Sequence, residues 1–327
     1  MNLEAIPVSG IASYVYVYKR RETMHDIIVV GGGPAGMTAA LYALRNGKSV
    51  LVIEKTGFGG QITHSPKVEN YPGTLSMSGN EFADSMLDQI LAQGAEIEFE
   101  EVTGVEDAGA VKTVVTLEGG RYEAGAVILA TGVKHRMLGL EGEQELVGEG
   151  ISFCAVCDGD FYTGKTVCVA GGGNSALQEA VLLAEKCKEV IMLQDLPIFT
   201  GEQRLQDVLF SRDNVRAYTG VKITGLKVEN GSLTGVEIEE KDSRRSIINC
   251  DGLFVAIGLI PENEPFAGLA DLNSYGYFDS DETCVTRTKG IYAAGDCRSK
   301  TVRQLTTAAA DGACAALAAC RYLNELK

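Results

Sequence analysis

The chain has 327 residues, 45% of them hydrophobic and 22% charged, with a formal net charge of −15. That length holds two domains, each with its own core. The acidic balance excludes nucleic acid or an anionic membrane as the main partner, because both need clustered Lys and Arg. Nine cysteines, an odd number scattered outside one close pair, fit a reducing cytoplasm and not a secreted disulfide framework. No stretch reaches the roughly 18 consecutive apolar residues of a membrane-spanning helix.

Residues 1–23 open with an apolar segment, Ile11 to Tyr18, followed by Lys19-Arg20-Arg21. A signal peptide has the reverse order, so this segment reads as a loosely held N-terminal extension. The first fold element begins after Met24. Asp26 to Val30 is a β-branched run that predicts a buried strand. Gly31-Gly32-Gly33-Pro34-Ala35-Gly36 follows, then a helix from Met37 to Arg45, and a strand over Val50 to Ile53 that ends in Glu54. This strand, glycine turn, helix, strand and acid make a dinucleotide-binding fingerprint. Gly31 permits the tight turn, Gly33 admits a pyrophosphate and Gly36 lets helix and strand pack. The helix N-terminus offers amides to the phosphates, and Glu54 is placed to accept from a ribose diol.

Gly57 to Gln61 and Val68 to Gly73 read as loops, from which Gln61 and Asn70 are candidates to contact a bound cofactor. A helix is expected over Glu81 to Gln93, then strands at Glu96–Val102, Val111–Leu117 and Ala126–Leu129, the last running into Ala130-Thr131-Gly132. The acidic run Glu98–Glu101 reads as a solvated strand face. Near Leu138–Glu143 the pattern loosens and the chain crosses into a second domain.

Cys154-Ala155-Val156-Cys157-Asp158-Gly159 then places two thiols at redox spacing with a carboxylate directly after them. A strand over Thr166–Ala170 leads into a second glycine signature, Gly171-Gly172-Gly173-Asn174-Ser175-Ala176, 140 residues after the first. A helix over Leu177–Lys186, a strand over Glu189–Leu193, a run of short strands with an Asn230-Gly231 hairpin turn, and a buried strand over Cys250–Ile257 complete this domain. Pro261 marks the return. Gly290 to Asp296 reads as a strand with a carboxylate at its tip. Arg303 and Gln304 lead into an Ala-rich helix through about Leu323, packed under the first glycine loop. The fold is therefore α/β, with two Rossmann-like dinucleotide-binding domains, the second inserted into the first.

Taken together, these motifs resemble the low-molecular-weight thioredoxin reductase family of flavoproteins, from about Asp26 to the C-terminus and in the family's order. The resemblance implies FAD bound by residues 24–138 and 259–327, and NAD(P)H bound by residues 139–258, which also carry the dithiol. It implies a thioredoxin-like substrate, a homodimer and a domain rotation during turnover. By the same carry-over Gly31, Gly33, Pro34, Ala35, Gly36, Glu54, Gln61, Asn70, Thr131, Gly132, Asp296, Arg303 and Gln304 serve FAD. Gly171, Gly173, Asn174, Ser175, Ala176 and Gln194 serve the nucleotide. Cys157 is the thiol next to the flavin, Cys154 its outer partner and Asp158 the acid/base. The chemistry suits these types, since a thiolate is the competent sulfur and a departing thiolate needs a proton.

The second fingerprint departs from the family at its acid position. Gln194 lies 23 residues after Gly171, as Glu54 does after Gly31, and Asp195 and Leu196 follow. NADPH-using members carry His-Arg-Arg there and a further Arg at the position of Thr200. Without these cations a ribose 2′-phosphate has no partner, so NADH is expected over NADPH, or a donor such as ferredoxin. A different thioredoxin-like or peroxiredoxin carrier is the alternative substrate. A zinc site is not expected, since a second Cys pair at ligand spacing is missing and His25, His64 and His135 are dispersed. A nucleotide-sensing module fits poorly with Asp158 beside the dithiol. Cys168, Cys187, Cys250, Cys284, Cys297, Cys314 and Cys320 read as small core residues.

Overall fold

The computed structural model describes residues 2–7, 14–19, 24–65 and 67–326. Asn2–Pro7 (β1) and Tyr14–Lys19 (β2) pair antiparallel with each other. The rest of the expected 1–23 extension lies outside the described residues. His25–Val30 (β3) is the expected apolar strand, and it is buried because parallel neighbours flank it on both edges. Pro34–Arg45 (α1) starts earlier than Met37, since Pro34 at the first helical position brings a preset φ and no amide that needs a partner. Val50–Glu54 (β4) follows. Gly79–Ala92 (α2) also starts early, because Ser78 and Glu81 form a reciprocal cap: the Glu81 amide donates to Ser78 Oγ at 3.2 Å and the Ser78 amide to Glu81 Oε2 at 2.8 Å.

The strand expected over Glu96–Val102 is two strands, Glu96–Phe99 (β5) and Val102–Ala108 (β6). Between them the acidic run turns a corner. Glu100 accepts from Thr116 Oγ1 at 2.6 Å and from the Tyr122 hydroxyl at 2.9 Å, so it holds the corner, while Phe99 and Glu101 are exposed as a solvated face would have them. Val111–Thr116 (β7) and Arg121–Leu129 (β8) complete a sheet ordered β5-β4-β3-β8-β7-β6.

The inserted stretch begins with Lys134–His135 (β9), Ile151–Ser152 (β10) and Ala155–Asp158 (α3). Thr166–Ala170 (β11), Asn174–Ala184 (α4) and Glu189–Gln194 (β12) repeat the opening fingerprint. The expected run of short strands opens instead with a helix, Gln203–Phe210 (α5), whose Leu205 and Leu209 turn inward at helical spacing. Val215–Thr219 (β13), Val221–Glu229 (β14), Ser232–Glu240 (β15), Arg245–Asn249 (β16), Gly252–Val255 (β17) and Leu259–Ile260 (β18) follow. A parallel sheet runs β10-β17-β11-β12-β13, and β14-β15-β16 form an antiparallel one. Asn230 at φ 52° and Gly231 at φ 80° make the expected β14–β15 turn, which needs two residues in the left-handed region.

Ile291–Ala293 (β19) returns to pair with β8. Leu305–Glu325 (α6) packs on α1 as expected: a Cβ on Gly312 would lie 2.2 Å from the Ala35 carbonyl oxygen. Contacts divide the chain into two compact units, one of residues 1–58, 87–131 and 263–327, the other of residues 59–86 and 132–262. The first unit's core gathers Ile28, Leu51, Val127 and Phe278, and the second's gathers Val169, Leu177, Met192 and Phe254.

Candidate active site

Cys154 and Cys157 form a disulfide across α3, with their Cα atoms 5.3 Å apart. Cys154 caps the helix, its Sγ accepting the Cys157 amide at 3.2 Å. Asp158 ends the same short helix. Its Oδ2 accepts from Ser152 Oγ at 2.6 Å, and that hydroxyl oxygen accepts the Cys154 amide at 3.1 Å. Asp158 Oδ1 is buried without a hydrogen-bond partner among the described residues. Burial raises the Asp158 carboxyl above the usual range, with the Ser152 bond opposing. A carboxyl that gives up its proton less readily than usual is thereby placed directly after Cys157. Ser152 escapes a motif search because it sits on a two-residue strand with no signature of its own.

The first glycine loop is built on contact. A Cβ on Gly31, at φ 107°, would lie 2.3 Å from the Ala130 carbonyl oxygen, and one on Gly36 would lie 1.9 Å from that of Gly31. At Gly33 a Cβ would meet nothing within 4 Å, so this side of the loop, with Pro34 and Ala35 opening α1, is clear for a phosphate. Glu54 Oε2 accepts the Gly32 amide at 2.7 Å, which puts the acid over the loop. At the tip of β19, Asp296 Oδ1 is buried and lacks a partner among the described residues, and burial holds its carboxyl above the usual range. Arg303 donates to the Asp296 carbonyl at 3.3 Å, its guanidinium 4.4 Å from the Tyr277 ring centre. Gln304 caps α6. These residues fit FAD: a clear amide-lined loop suits its pyrophosphate, and an orphaned buried carboxylate oxygen suits a hydroxyl of its sugar chain.

Two connections here carry no sequence signature. Asn263, fully buried, accepts from Thr131 Oγ1 at 2.8 Å and donates to the carbonyls of Gly276 at 2.9 Å and Cys297 at 2.8 Å. It ties the Thr131–Gly132 turn to the chain next to Asp296. Asp311 binds Arg298, Lys300 and the Gly295 amide. Gln61 and Asn70 are exposed and lie in the 59–86 segment, which groups with the second unit and not with the glycine loop they are expected to serve.

The second glycine loop repeats the first. A Cβ on Gly171 would lie 2.5 Å from the Ala256 carbonyl oxygen, and at Gly173 the nearest atom is Thr200 Oγ1 at 3.9 Å. Ser175 is exposed and Ala176 buried in the first turn of α4. Asn174 Oδ1 accepts the Glu202 amide at 2.7 Å, and the Gly172 carbonyl accepts the Thr200 amide at 2.8 Å. Gln194 takes Glu54's position, its side chain against Gly172 and its Nε2 donating to the Ile198 carbonyl at 3.2 Å. It is 4% exposed, whereas Asp195 beside it is exposed.

Among the described residues no group of His, Cys, Asp and Glu is arranged to hold a metal ion, and no helix is long and apolar enough to cross a membrane. Cys168, Cys187, Cys250, Cys284, Cys297 and Cys320 are buried, but Cys314 is exposed on α6, contrary to its reading as a core residue.

Residues 25–312 match the model of the pyridine nucleotide-disulphide oxidoreductase family. A thioredoxin reductase of Listeria monocytogenes is 39% identical over 94% of this chain and 96% of its own length. One of Bacillus subtilis is 37% identical over 94% of this chain and 97% of its own. The crystal structure of a thioredoxin reductase from Streptococcus pyogenes superposes with a TM-score of 0.88 at 36% identity, covering 93% of this chain and 99% of that one. The chain belongs to the pyridine nucleotide-disulphide oxidoreductases, within their low-molecular-weight thioredoxin reductase family.

Proposed function

We propose that this chain reduces the disulfide of thioredoxin, drawing electrons from a pyridine nucleotide through FAD and the Cys154/Cys157 pair. When bound, FAD supplies the two-electron relay between nicotinamide and dithiol. Residues 24–138 and 259–327 hold FAD, through the Gly31–Gly36 loop, Glu54 and Asp296. Residues 139–258 hold the nucleotide and the dithiol. Cys157 is the sulfur that takes electrons from the flavin, and Cys154 attacks the substrate disulfide. Asp158 protonates the departing thiolate, with Ser152 orienting it. The observation that carries the reading is the Cys154–Cys157 disulfide beside the buried, half-partnered carboxyl of Asp158. A cytoplasmic homodimer completes it.

The preferred donor is NADH. Gln194 is neutral, Asp195 is exposed beside it, and residues 194–200 contain no Lys or Arg to pair a 2′-phosphate. The same absence favours a ferredoxin-like donor as the second reading. Anaerobic reduction of the bound flavin, followed at its visible absorbance, separates the two. NADH is expected to bleach it faster than NADPH, and reduction by ferredoxin alone would move the assignment to the second reading. Faster bleaching by NADPH would overturn the preference.

A further inference from the structure

Glu179 lies in the middle of α4 and has no part in the roles assigned above. Its carboxylate accepts the backbone amide of Ala155, the first residue of the four-residue helix that carries both cysteines. Two carboxyls therefore serve that helix, Asp158 from within it and Glu179 from α4. The other elements packed on α4 are apolar toward it: β11 and β12 present Val167, Val169, Val190 and Met192, and α5 presents Leu205 and Leu209. On its remaining side lie α3 and the 159–162 turn, whose titratable groups besides the cysteines are Asp158, Asp160 and Tyr162, and among the described residues no cation pairs with Glu179. Lys186 is taken by Asp160 and Arg212 by Glu185.

We infer that Glu179 is a positioning residue for the redox pair: it anchors the first turn of the Cys154–Cys157 helix, and its charge sets how readily the reduced thiols and Asp158 release protons. The inference rests on Cys154 and Cys157 being the redox pair. Burial lifts the Glu179 carboxyl to about 7, opposed by the Ala155 bond and helped by Asp158. Near neutral pH Glu179 therefore changes charge beside the dithiol, and its negative form disfavours a second negative charge on sulfur. Below that pH the neutral carboxyl lifts this repulsion.

The test uses the dithiothreitol-reduced holoenzyme and measures iodoacetamide alkylation of Cys154 and Cys157, peptide by peptide, from about pH 5 to 9. Glu179→Gln keeps an oxygen for the Ala155 amide and removes the charge. The wild type is expected to show an inflection near 7 in addition to thiol ionisation. Glu179→Gln is expected to lose that inflection and, at pH 8, to alkylate about threefold faster, because a neighbouring negative charge no longer opposes the thiolate. Glu179→Asp, which restores a titrating carboxyl, is expected to bring the inflection back. A Glu179→Gln profile that superimposes on the wild type overturns the inference, as does an inflection that Glu179→Asp fails to restore. Should Glu179→Gln not fold, Glu179→Ala takes its place: loss of the inflection is expected, and its persistence overturns the inference. Failure of the underlying reading looks different: Cys157→Ser would then still reduce thioredoxin at the wild-type rate.

Discussion

Asp311→Asn removes the charge at the centre of a buried network on α6. The carboxylate accepts four bonds, from Arg298 Nε at 2.7 Å and Nη2 at 2.8 Å, Lys300 Nζ at 2.8 Å and the Gly295 amide at 3.0 Å. The Arg298, Lys300 and Asp311 side chains are at most 6% exposed. Taking away one partner leaves two buried cations uncompensated, a loss of about 3–5 kcal/mol. Arg298 keeps Glu282 at 3.1 Å, but that carboxylate is 90% exposed and offsets little, so the low end, about 3 kcal/mol, is expected. That corresponds to a fall of about 6–12 °C in the unfolding midpoint. Because Gly295 precedes Asp296, the loosened turn is also expected to weaken FAD retention. Differential scanning calorimetry and the rise of free-flavin fluorescence on heating read the two effects separately. Burial opposes ionisation of Asp311, but the bonds of Arg298 and Lys300 prevail and hold its carboxyl below the ordinary 3.8. Its contribution is therefore present above that pH and lost as pH falls below it. A midpoint within about 2 °C of the wild type, with flavin retention unchanged, would refute the reasoning.

Asp195→Arg combined with Thr200→Arg supplies the missing cations. Each charge-assisted bond to phosphate contributes about 1.5 kcal/mol or more, so kcat/KM for NADPH relative to NADH is expected to rise on the order of 100-fold in steady-state assays. An unchanged ratio would place the 2′-hydroxyl elsewhere. Asp158→Asn is expected to slow thioredoxin reduction about 100-fold or more. In the wild type the step that needs protonated Asp158 fails as pH rises through its raised value, and a pH–rate profile of Asp158→Asn should lack that limb. His135 stacks on Phe153 with ring centres 4.3 Å apart, and burial, with His64 adding, pushes it down to about 4. Its unfolded ring protonates first, so stability is full above about 6.5 and is lost by up to about 3 kcal/mol as pH falls toward 4. Urea titrations of His135→Gln should show a flatter pH dependence over that window.

Much of this architecture is legible in the chain because glycine loops and parallel strands leave local marks. β3 and β11 are continuous apolar runs, and Gly31, Gly36 and Gly171 sit where a Cβ would collide with backbone. The Asn230-Gly231 turn is likewise forced by its two left-handed residues. What stays hidden depends on partners that no local motif announces. Ser152, Glu179, Asn263 and Asp311 are polar residues in plain surroundings until folding brings Asp158, Ala155, Thr131 and Arg298 to them. The strand break at Glu100 is of the same kind, since the Thr116 and Tyr122 hydroxyls that hold the corner come from β7 and β8. Helix starts were displaced for a local reason, the capping chemistry of Pro34 and of Ser78 with Glu81.

In the proposed reaction electrons pass from a reduced nucleotide through Cys154 and Cys157 to thioredoxin. The direct measurement is NADH-driven reduction of oxidised thioredoxin, followed by the free thiols formed, with wild type and Cys157→Ser side by side and NADPH as the parallel donor. Turnover by the wild type is expected, faster with NADH, and none by Cys157→Ser even though its flavin still bleaches with nucleotide. Thioredoxin reduction that survives in Cys157→Ser would contradict it.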